Sequence, residues 1–167
     1  MTVSGRYEEE FPAMRRDAYR AAYGVLCDRQ AAEDAASEAL AQAWVHWSRI
    51  GDLPYRTAWL RRVAINAALK ILKKQRRLTP ITDPRMAAFD EHIAIRLALS
   101  EALLELPSRQ REVLALRYLA DLPEADVAAA MGISNNSVKT HLKRGLATLR
   151  KRIDAKEVIA DVSVALA

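Results

Sequence analysis

The feature that most constrains the fold of this chain is Gly132, a single glycine between two stretches with helical apolar periodicity. The stretch before it has a short apolar stripe, formed by Val127, Ala128 and Met131. The stretch after it has a longer one, formed by Val138, Leu142, Leu146, Leu149 and Ile153. Gly132 supplies the left-handed residue that ends the first helix, and Ser134 can cap the second. The pattern therefore predicts a helix-turn-helix.

The second of these helices has a cationic face opposite its apolar stripe. Lys139, Thr140, Lys143 and Arg144 fall on that side. A helix that is anchored on one face and offers short polar and cationic side chains on the other suits a DNA major groove. The alternative is an amphipathic helix pair with a solvated basic face, which is what most runs of charge are. The Ala-x-x-x-Gly-Ile-Ser pattern from Ala128 to Ser134 favours DNA binding, because small residues let the two helices cross closely.

Composition favours helix throughout the chain and limits the classes of protein to which it can belong. The 167 residues are 51% hydrophobic with only five glycines and six prolines, and they are enough for one domain or two small ones. No apolar run is long enough for a membrane span or a secretory signal, so neither is expected. The single cysteine, Cys27, has no partner for an internal disulfide. We expect it to fill a core position, with redox sensing as the alternative, in a reducing cytoplasm.

The net charge of +5 is unevenly distributed along the chain. Residues 53–77 carry +8 and residues 107–153 carry +5, whereas the intervening residues 78–106 carry −3. Two basic blocks separated by an acidic stretch imply two contacts with a polyanion rather than one diffuse attraction.

The helical patterns group into two all-α domains. Helices are predicted over about 7–26, 32–47 and 57–76, and again over 91–106 and 107–118 before the helix-turn-helix. Between the groups, residues 78–90 contain Pro80 and Pro84 and lack a clean period, which predicts a flexible linker. The predicted domains are an N-terminal helical bundle (1–77) and a four-helix domain that contains the helix-turn-helix (91–153), followed by a tail (154–167).

The first basic block also contains aromatic residues. No acidic residue occurs between Leu53 and Thr82, and the cations lie beside Tyr55 and Trp59. Cations interleaved with aromatics are typical of surfaces that hold phosphates and stack single-stranded bases. The alternatives are that Trp59 belongs to the core and that the run from Lys73 to Arg77 is a solvated helix end, where cations complement the helix dipole.

Four segments, in this order, resemble an extracytoplasmic-function sigma factor of the bacterial sigma-70 family. AAEDAASEALAQAW is similar to the part of sigma region 2 that binds the polymerase clamp, and TAWLRRVAINAALKILKKQRR to the part that melts and reads the −10 element. LPSRQREVLALRY is similar to the start of region 4, and VKTHLKRGLATLR to its promoter-reading helix. The resemblance covers about residues 7–153.

The resemblance implies which residues meet each partner. The −35 element would be read by Ser137, Lys139, Thr140, His141, Lys143 and Arg144. The −10 element would be contacted by Tyr55, Arg56, Trp59, Arg61, Arg62, Asn66, Lys70, Lys73 and Lys74. The clamp of RNA polymerase core would be bound by Asp34, Glu38, Gln42 and Trp44, with Trp44 alternatively a core residue. The chain departs from the family where Lys70 replaces a usual aspartate, Ile65 a usual basic residue, and Ser37-Glu38 a usual Gln-Glu pair.

The sequence contains no pattern that predicts catalysis. His46, His92 and His141 are scattered, and no phosphate-binding loop or metal-ligand spacing occurs. We therefore expect a non-enzymatic protein without metal or cofactor. The resemblance implies that it is a specificity subunit, whose partners are the clamp and flap of core polymerase, promoter DNA and an anti-sigma factor. The alternatives are a stand-alone helix-turn-helix regulator that binds an operator as a dimer, and a sigma-like module that sequesters a partner.

Overall fold

A computed structural model of the protein describes residues 3–78 and 91–152. The predicted linker after Leu78, the tail 154–167 and Ile153 lie outside the described residues. Within those ranges the chain is helical, as predicted, and contains no strand. The helices are α1 (Val3–Leu26), α2 (Arg29–Val45), α3 (Trp47–Ile50), α4 (Arg56–Leu78), α5 (Glu91–Leu104), α6 (Ser108–Leu114), α7 (Glu124–Met131) and α8 (Asn135–Arg152). None of these helices is both long and apolar enough to cross a membrane.

The N-terminal half is a bundle of three long helices, α1, α2 and α4, that pack through alanines. The apolar stripe of α2, with Ala36, Leu40 and Ala43, is buried, and it continues to Trp47, the first residue of α3. The buried alanines of α2 are Ala31, Ala32, Ala35, Ala36, Ala39 and Ala43. The neighbouring helices also bury small residues completely, namely Ala18 and Ala22 of α1 and Ala64 and Ala68 of α4. Small side chains on the facing sides let three helices approach closely without large voids.

One apolar residue of α1, Phe11, lies at the surface. Phe11 is 39% exposed, whereas the neighbouring Tyr7 is buried. The hydroxyl of Tyr7 donates to the carbonyl oxygen of Leu40 at 2.8 Å, and its ring meets Trp47 edge-on at 5.1 Å between centroids. Phe11 contacts the Tyr7 ring at 5.9 Å from outside the core.

The helix-turn-helix is formed by α7 and α8, as predicted. Gly132 ends α7 in the left-handed conformation, with φ 64°. The hydroxyl of Ser134 accepts a hydrogen bond from the amide of Ser137 at 3.1 Å, which caps the start of α8. The apolar stripes of both helices are buried or partly buried over the described residues.

The second half of the helix predicted over 107–118 is not a regular α-helix in the structure. Regular α-helix stops at Leu114, and a π-helical turn (Ala115–Leu119) follows. The amide of Ala120 donates to the carbonyl oxygen of Ala115 at 3.1 Å, and Asp121 then takes a positive φ of 51°. The widened turn brings the chain round to α7, a change of direction that apolar periodicity does not reveal.

The two halves pack against each other, a contact that the sequence analysis did not predict. Buried residues of both halves belong to one continuous hydrophobic cluster. Arg76 of α4 forms an ion pair with Glu101 of α5. Further contacts join α1 and α4 to the segment between α6 and α7, and they cover part of the first basic block.

Candidate nucleic-acid interface

The exposed face of α8 brings the residues predicted to read duplex DNA into one shallow groove. All six predicted residues line it, and Asn136 lines it with them. The groove is open because the opposite stripe of α8, from Val138 to Leu149, is anchored in the core. Lys139, Lys143 and Arg144 are exposed, and none of the three has an ion-pair partner within 3–78 or 91–152. The groove therefore presents uncompensated positive charge, which suits phosphates and the acceptor atoms of guanine.

Two polar side chains of the groove differ in how they are held. The hydroxyl of Ser137 lies 2.9 Å from the hydroxyl of Ser134, so it is already engaged by the cap. The imidazole of His141 has its Nδ1 buried, with no hydrogen-bond partner in the part of the chain that the structure describes. His141 is thus held by packing, while Ser137 is held by a hydrogen bond.

Sequence reasoning missed Asn136 as a member of this groove. Its amide can both donate to and accept from an adenine edge, as asparagine does in the major groove. Helical spacing could have found it, because Asn136, Thr140 and Lys143 lie four and three residues apart and share one face.

The residues predicted to contact the −10 element divide into an exposed group and an engaged group. Lys70, Lys73 and Lys74 are exposed near the C-terminal end of α4. Of these, Lys70 has its Nζ 3.9 Å from Oε1 of Glu38, an exposed pair that contributes little to stability. All three lysines are exposed enough to meet a phosphate backbone, and Lys70 would exchange its weak pair with Glu38 for that contact.

The predicted −10 arginines at the start of α4 already have protein partners. Arg56 pairs with Glu10, donates to the carbonyl oxygen of Gly51 and lies over the Trp47 ring at 5.3 Å. Arg61 donates to Oδ1 of Asp17 at 2.9 Å. Arg56 therefore stabilises the bundle, a role that charge patterning in the sequence does not distinguish from DNA contact.

Arg62 and Asn66 meet the C-terminal half directly. The Nε of Arg62 donates to Oε1 of Glu112 at 2.6 Å, and the amide of Asn66 donates to the same oxygen at 2.8 Å. The guanidinium of Arg62 also donates to the carbonyl oxygen of Ala130 at 2.8 Å. Both residues are partly buried by these contacts.

The aromatic residues of the first basic block line grooves. Trp59 is only partly buried, and its ring meets His46 edge-on at 6.2 Å between centroids. It shares a groove between α2 and α4 with Glu38, Gln42, Asn66 and Lys70. Tyr55 and Trp59 also line the cleft between the halves, beside Met131 and Gly132. The flat surfaces predicted to receive an unstacked base are therefore partly accessible.

Ile65 explains one departure from the family pattern. It is completely buried in α4. Because Ile65 packs inside the bundle, its side chain does not reach the cationic face of α4. The replacement of the family's usual basic residue by isoleucine therefore removes no charge from that face.

The residues predicted to bind the clamp do not form a single patch. Asp34, Glu38 and Gln42 are exposed along α2 at intervals of four residues. Trp44 lies on the other side of that helix, where its ring contacts Tyr7 edge-on at 4.9 Å. It is 49% exposed, so it is a surface residue and not part of the core.

Both halves of the chain match known family models. Residues 11–78 match sigma-70 region 2, and residues 96–149 match sigma-70 region 4. The RNA polymerase sigma-E factor of Streptomyces antibioticus is 32% identical over 157 residues, which cover 91% of this chain and 87% of that protein. The chain belongs to the sigma-70 family.

Other relatives of this sigma factor carry the extracytoplasmic-function designation in their names, which places it in that group. Because both halves match and the relatives are sigma factors, the comparisons favour this assignment over a stand-alone operator-binding regulator.

Solved structures share the fold of the sigma factor. CnrH, in complex with the cytosolic domain of CnrY, superposes with a TM-score of 0.58 at 22% identity, over 90% of this chain and 88% of that one. The sigma factor RpoE of Bartonella quintana, in complex with the anti-sigma factor NepR, superposes with a TM-score of 0.53 at 18% identity. The match covers 89% of this chain and 98% of that one.

Proposed function

We propose that this sigma factor binds RNA polymerase core and directs promoter-specific initiation, reading the −35 element with α8 and the −10 element with α4. The observation that carries the proposal is the α8 groove, in which all six candidate residues meet and three cations have no ion-pair partner among the described residues. The second cationic face, with Lys70, Lys73 and Lys74 exposed, supports the proposal because it offers a separate contact with DNA.

We propose a division of labour between the two halves. Residues 1–77 bind the clamp through the α2 residues and hold the melted −10 element, while residues 91–153 meet the flap and the −35 duplex. Residues 78–90 connect them, so that one contact raises the effective concentration of the other. The polymerase performs the chemistry, and the sigma factor acts beside it in the cytoplasm without catalytic residues of its own.

We also propose control by an anti-sigma factor. The support is the fold shared with RpoE of Bartonella quintana, whose structure was determined in complex with the anti-sigma factor NepR.

Run-off transcription with core polymerase, with and without this chain, tests the proposed function. Lys143→Ala combined with Arg144→Ala should abolish promoter-specific transcripts while leaving core binding intact. Each removed phosphate contact should also lower the salt dependence of DNA binding by about 0.9 in log–log slope. Arg150→Ala with Lys151→Ala is the matched control, because it removes the same two side-chain types from exposed positions of α8 outside the groove.

Unchanged transcription by the Lys143/Arg144 variant would refute the assignment of α8. Sequence-specific duplex binding by the chain alone, with no effect on polymerase, would instead support the operator-binding regulator.

A further inference from the structure

The first turn of α8 supplies two of the seven side chains that line the α8 groove, Asn136 and Ser137. In a helix-turn-helix, the residues at the N-terminal end of the recognition helix contact base edges in the major groove, while residues around them contact the backbone. Base edges carry the sequence information, whereas phosphate contacts carry none. The base preference of this chain therefore depends on which of these two side chains is available to DNA.

Asn136 is available, and Ser137 is not. Ser137 is partly buried, and its hydroxyl lies 2.9 Å from the hydroxyl of Ser134, which also accepts from the Ser137 amide. Asn136 is exposed, and its side-chain amide has no hydrogen-bond partner in the parts of the chain that the structure describes. Within the first turn of the groove, Asn136 is thus the side chain that keeps both a donor and an acceptor for a ligand.

The angular position of Asn136 on α8 places it at the centre of the exposed face. Successive residues of an α-helix are rotated by about 100°, so Asn136 and Thr140 lie within about 30° of the direction opposite the buried stripe. Lys143 and Arg144 lie about 50° away from that direction, one on each side. An uncharged central line is therefore flanked by one exposed cation on either side. The buried stripe that defines this direction consists of Val138, Leu142, Gly145 and Leu149.

This arrangement separates the chemistry of the base edges from that of the phosphates. A side-chain amide can donate to N7 of an adenine and accept from its N6 amino group, and the methyl group of a threonine can pack against a thymine methyl. Ammonium and guanidinium groups beside that central line suit the phosphates that border the major groove. Asn136 and Thr140 therefore match an A·T-containing site, and Lys143 and Arg144 match its backbone.

We propose that Asn136 sets the base preference of the −35 element by hydrogen bonding to one adenine in the major groove, while Lys143 and Arg144 hold the phosphates beside it. The assignment rests on the proposed function, because it takes the α8 groove as the surface that meets the −35 duplex. It goes beyond that function in naming the base and in dividing the groove into one residue that discriminates and two that bind every sequence alike.

Transcription from selected templates tests this assignment. Core polymerase with the full chain is given linear templates that are randomised upstream of the start site, and templates that support run-off transcription are recovered and amplified until an upstream element is enriched. Each base pair of the −35 part of that element is then changed in turn. Run-off from every changed template is measured with the unmodified chain and with each variant.

The unmodified chain should prefer adenine at one −35 position by roughly tenfold, and Asn136→Ala should reduce that preference to within about twofold without changing the other positions. Asn136→Asp should prefer cytosine there, because a carboxylate accepts from the cytosine amino group and is repelled by N7 of adenine. Replacing the adenine by 7-deazaadenine, which lacks the N7 acceptor, should weaken run-off with the unmodified chain and leave Asn136→Ala unaffected.

Asn135→Ala is the matched control, since it removes the same side chain from the preceding exposed position, which does not line the groove. It should leave every base preference unchanged. Lys143→Ala should instead lower run-off from all the changed templates by a similar factor, because a phosphate contact carries no sequence information. Circular dichroism checks that each variant is folded, and alanine at these helical positions favours the helix.

Initiation by Asn136→Ala with the same base preferences as Asn135→Ala would overturn the assignment of Asn136 and leave the sigma function standing. The same conclusion would follow if Asn136→Asp kept the adenine preference. Run-off with the unmodified chain that does not exceed run-off by core polymerase alone would remove the proposed function, and the assignment with it, since α8 would then have no −35 element to read.

Discussion

At the residue scale, Tyr7 shows how a single hydroxyl organises the aromatic end of the N-terminal bundle. It is buried, its hydroxyl donates to the carbonyl oxygen of Leu40, and its ring meets both Trp44 and Trp47 edge-on. Burial raises the pKa of Tyr7 above its ordinary value of 10.0, because the charged phenolate is poorly solvated there.

Tyr7→Phe should destabilise the protein by about 1 kcal/mol at neutral pH, through loss of the buried hydrogen bond. The raised pKa of Tyr7 means that its contribution is fully present below the unfolded pKa near 10 and is lost as pH rises through the folded pKa. The wild type should therefore lose more stability than Tyr7→Phe above about pH 10. Urea unfolding of both proteins at neutral and alkaline pH measures the difference, and parallel pH profiles would contradict it.

At the scale of the element, α2 begins where Asp28 caps it. The side-chain oxygen of Asp28 accepts a hydrogen bond from the amide of Ala31 at 2.7 Å. This bond satisfies one of the free amides that every helix start leaves. It places the helix start at Arg29, three residues before the position that apolar periodicity predicts.

Asp28→Ala should cost about 1 kcal/mol in the free energy of unfolding, because the capping bond is lost. Asp28→Asn should retain most of it, since the amide oxygen still accepts. Chemical denaturation followed by circular dichroism measures both, and equal losses from the two substitutions would show that charge rather than capping matters.

The exposed residues Asp34, Glu38 and Gln42 of α2 lead to a prediction about binding to core polymerase. Asp34→Lys combined with Glu38→Lys should weaken core association by at least tenfold, because both carboxylates are exposed on the side assigned to the clamp. The lost Glu38–Lys70 pair is exposed and should leave stability nearly unchanged. Surface plasmon resonance with core polymerase measures the affinity.

The control for this charge reversal is Glu9→Lys with Asp126→Lys, which changes the net charge equally at exposed positions outside α2. Equal weakening by both pairs would reveal a general electrostatic effect and remove the clamp assignment.

At the scale of the whole molecule, the contact between the halves should make unfolding cooperative. All three tryptophans, Trp44, Trp47 and Trp59, belong to the N-terminal half. Their fluorescence therefore reports that half alone, while far-ultraviolet circular dichroism reports every helix. Because one continuous buried cluster spans both halves, the two signals should give coincident urea transitions. Two separated transitions would show that the halves unfold independently.

The sequence by itself determined the local architecture of this sigma factor. Gly132 and Ser134 predict where the helix-turn-helix bends, since a left-handed residue and a capping hydroxyl act within a few residues of chain. The burial of Val138 and the exposure of Lys139 follow from helical periodicity alone. The two basic blocks and the order of the motifs identified the family before any coordinates, because charge and spacing are properties of the chain.

Only the tertiary structure decided which cations are free. Arg56, Arg62 and Lys73 are alike in sequence, yet the first is paired with Glu10, the second with Glu112 and the third is exposed. Glu112 lies 50 residues along the chain from Arg62, and Leu119 lies far from Gly24. No periodic pattern encodes such a meeting. It depends on the direction in which the π-helical turn after α6 sends the chain, and on the close approach that a glycine without a side chain permits.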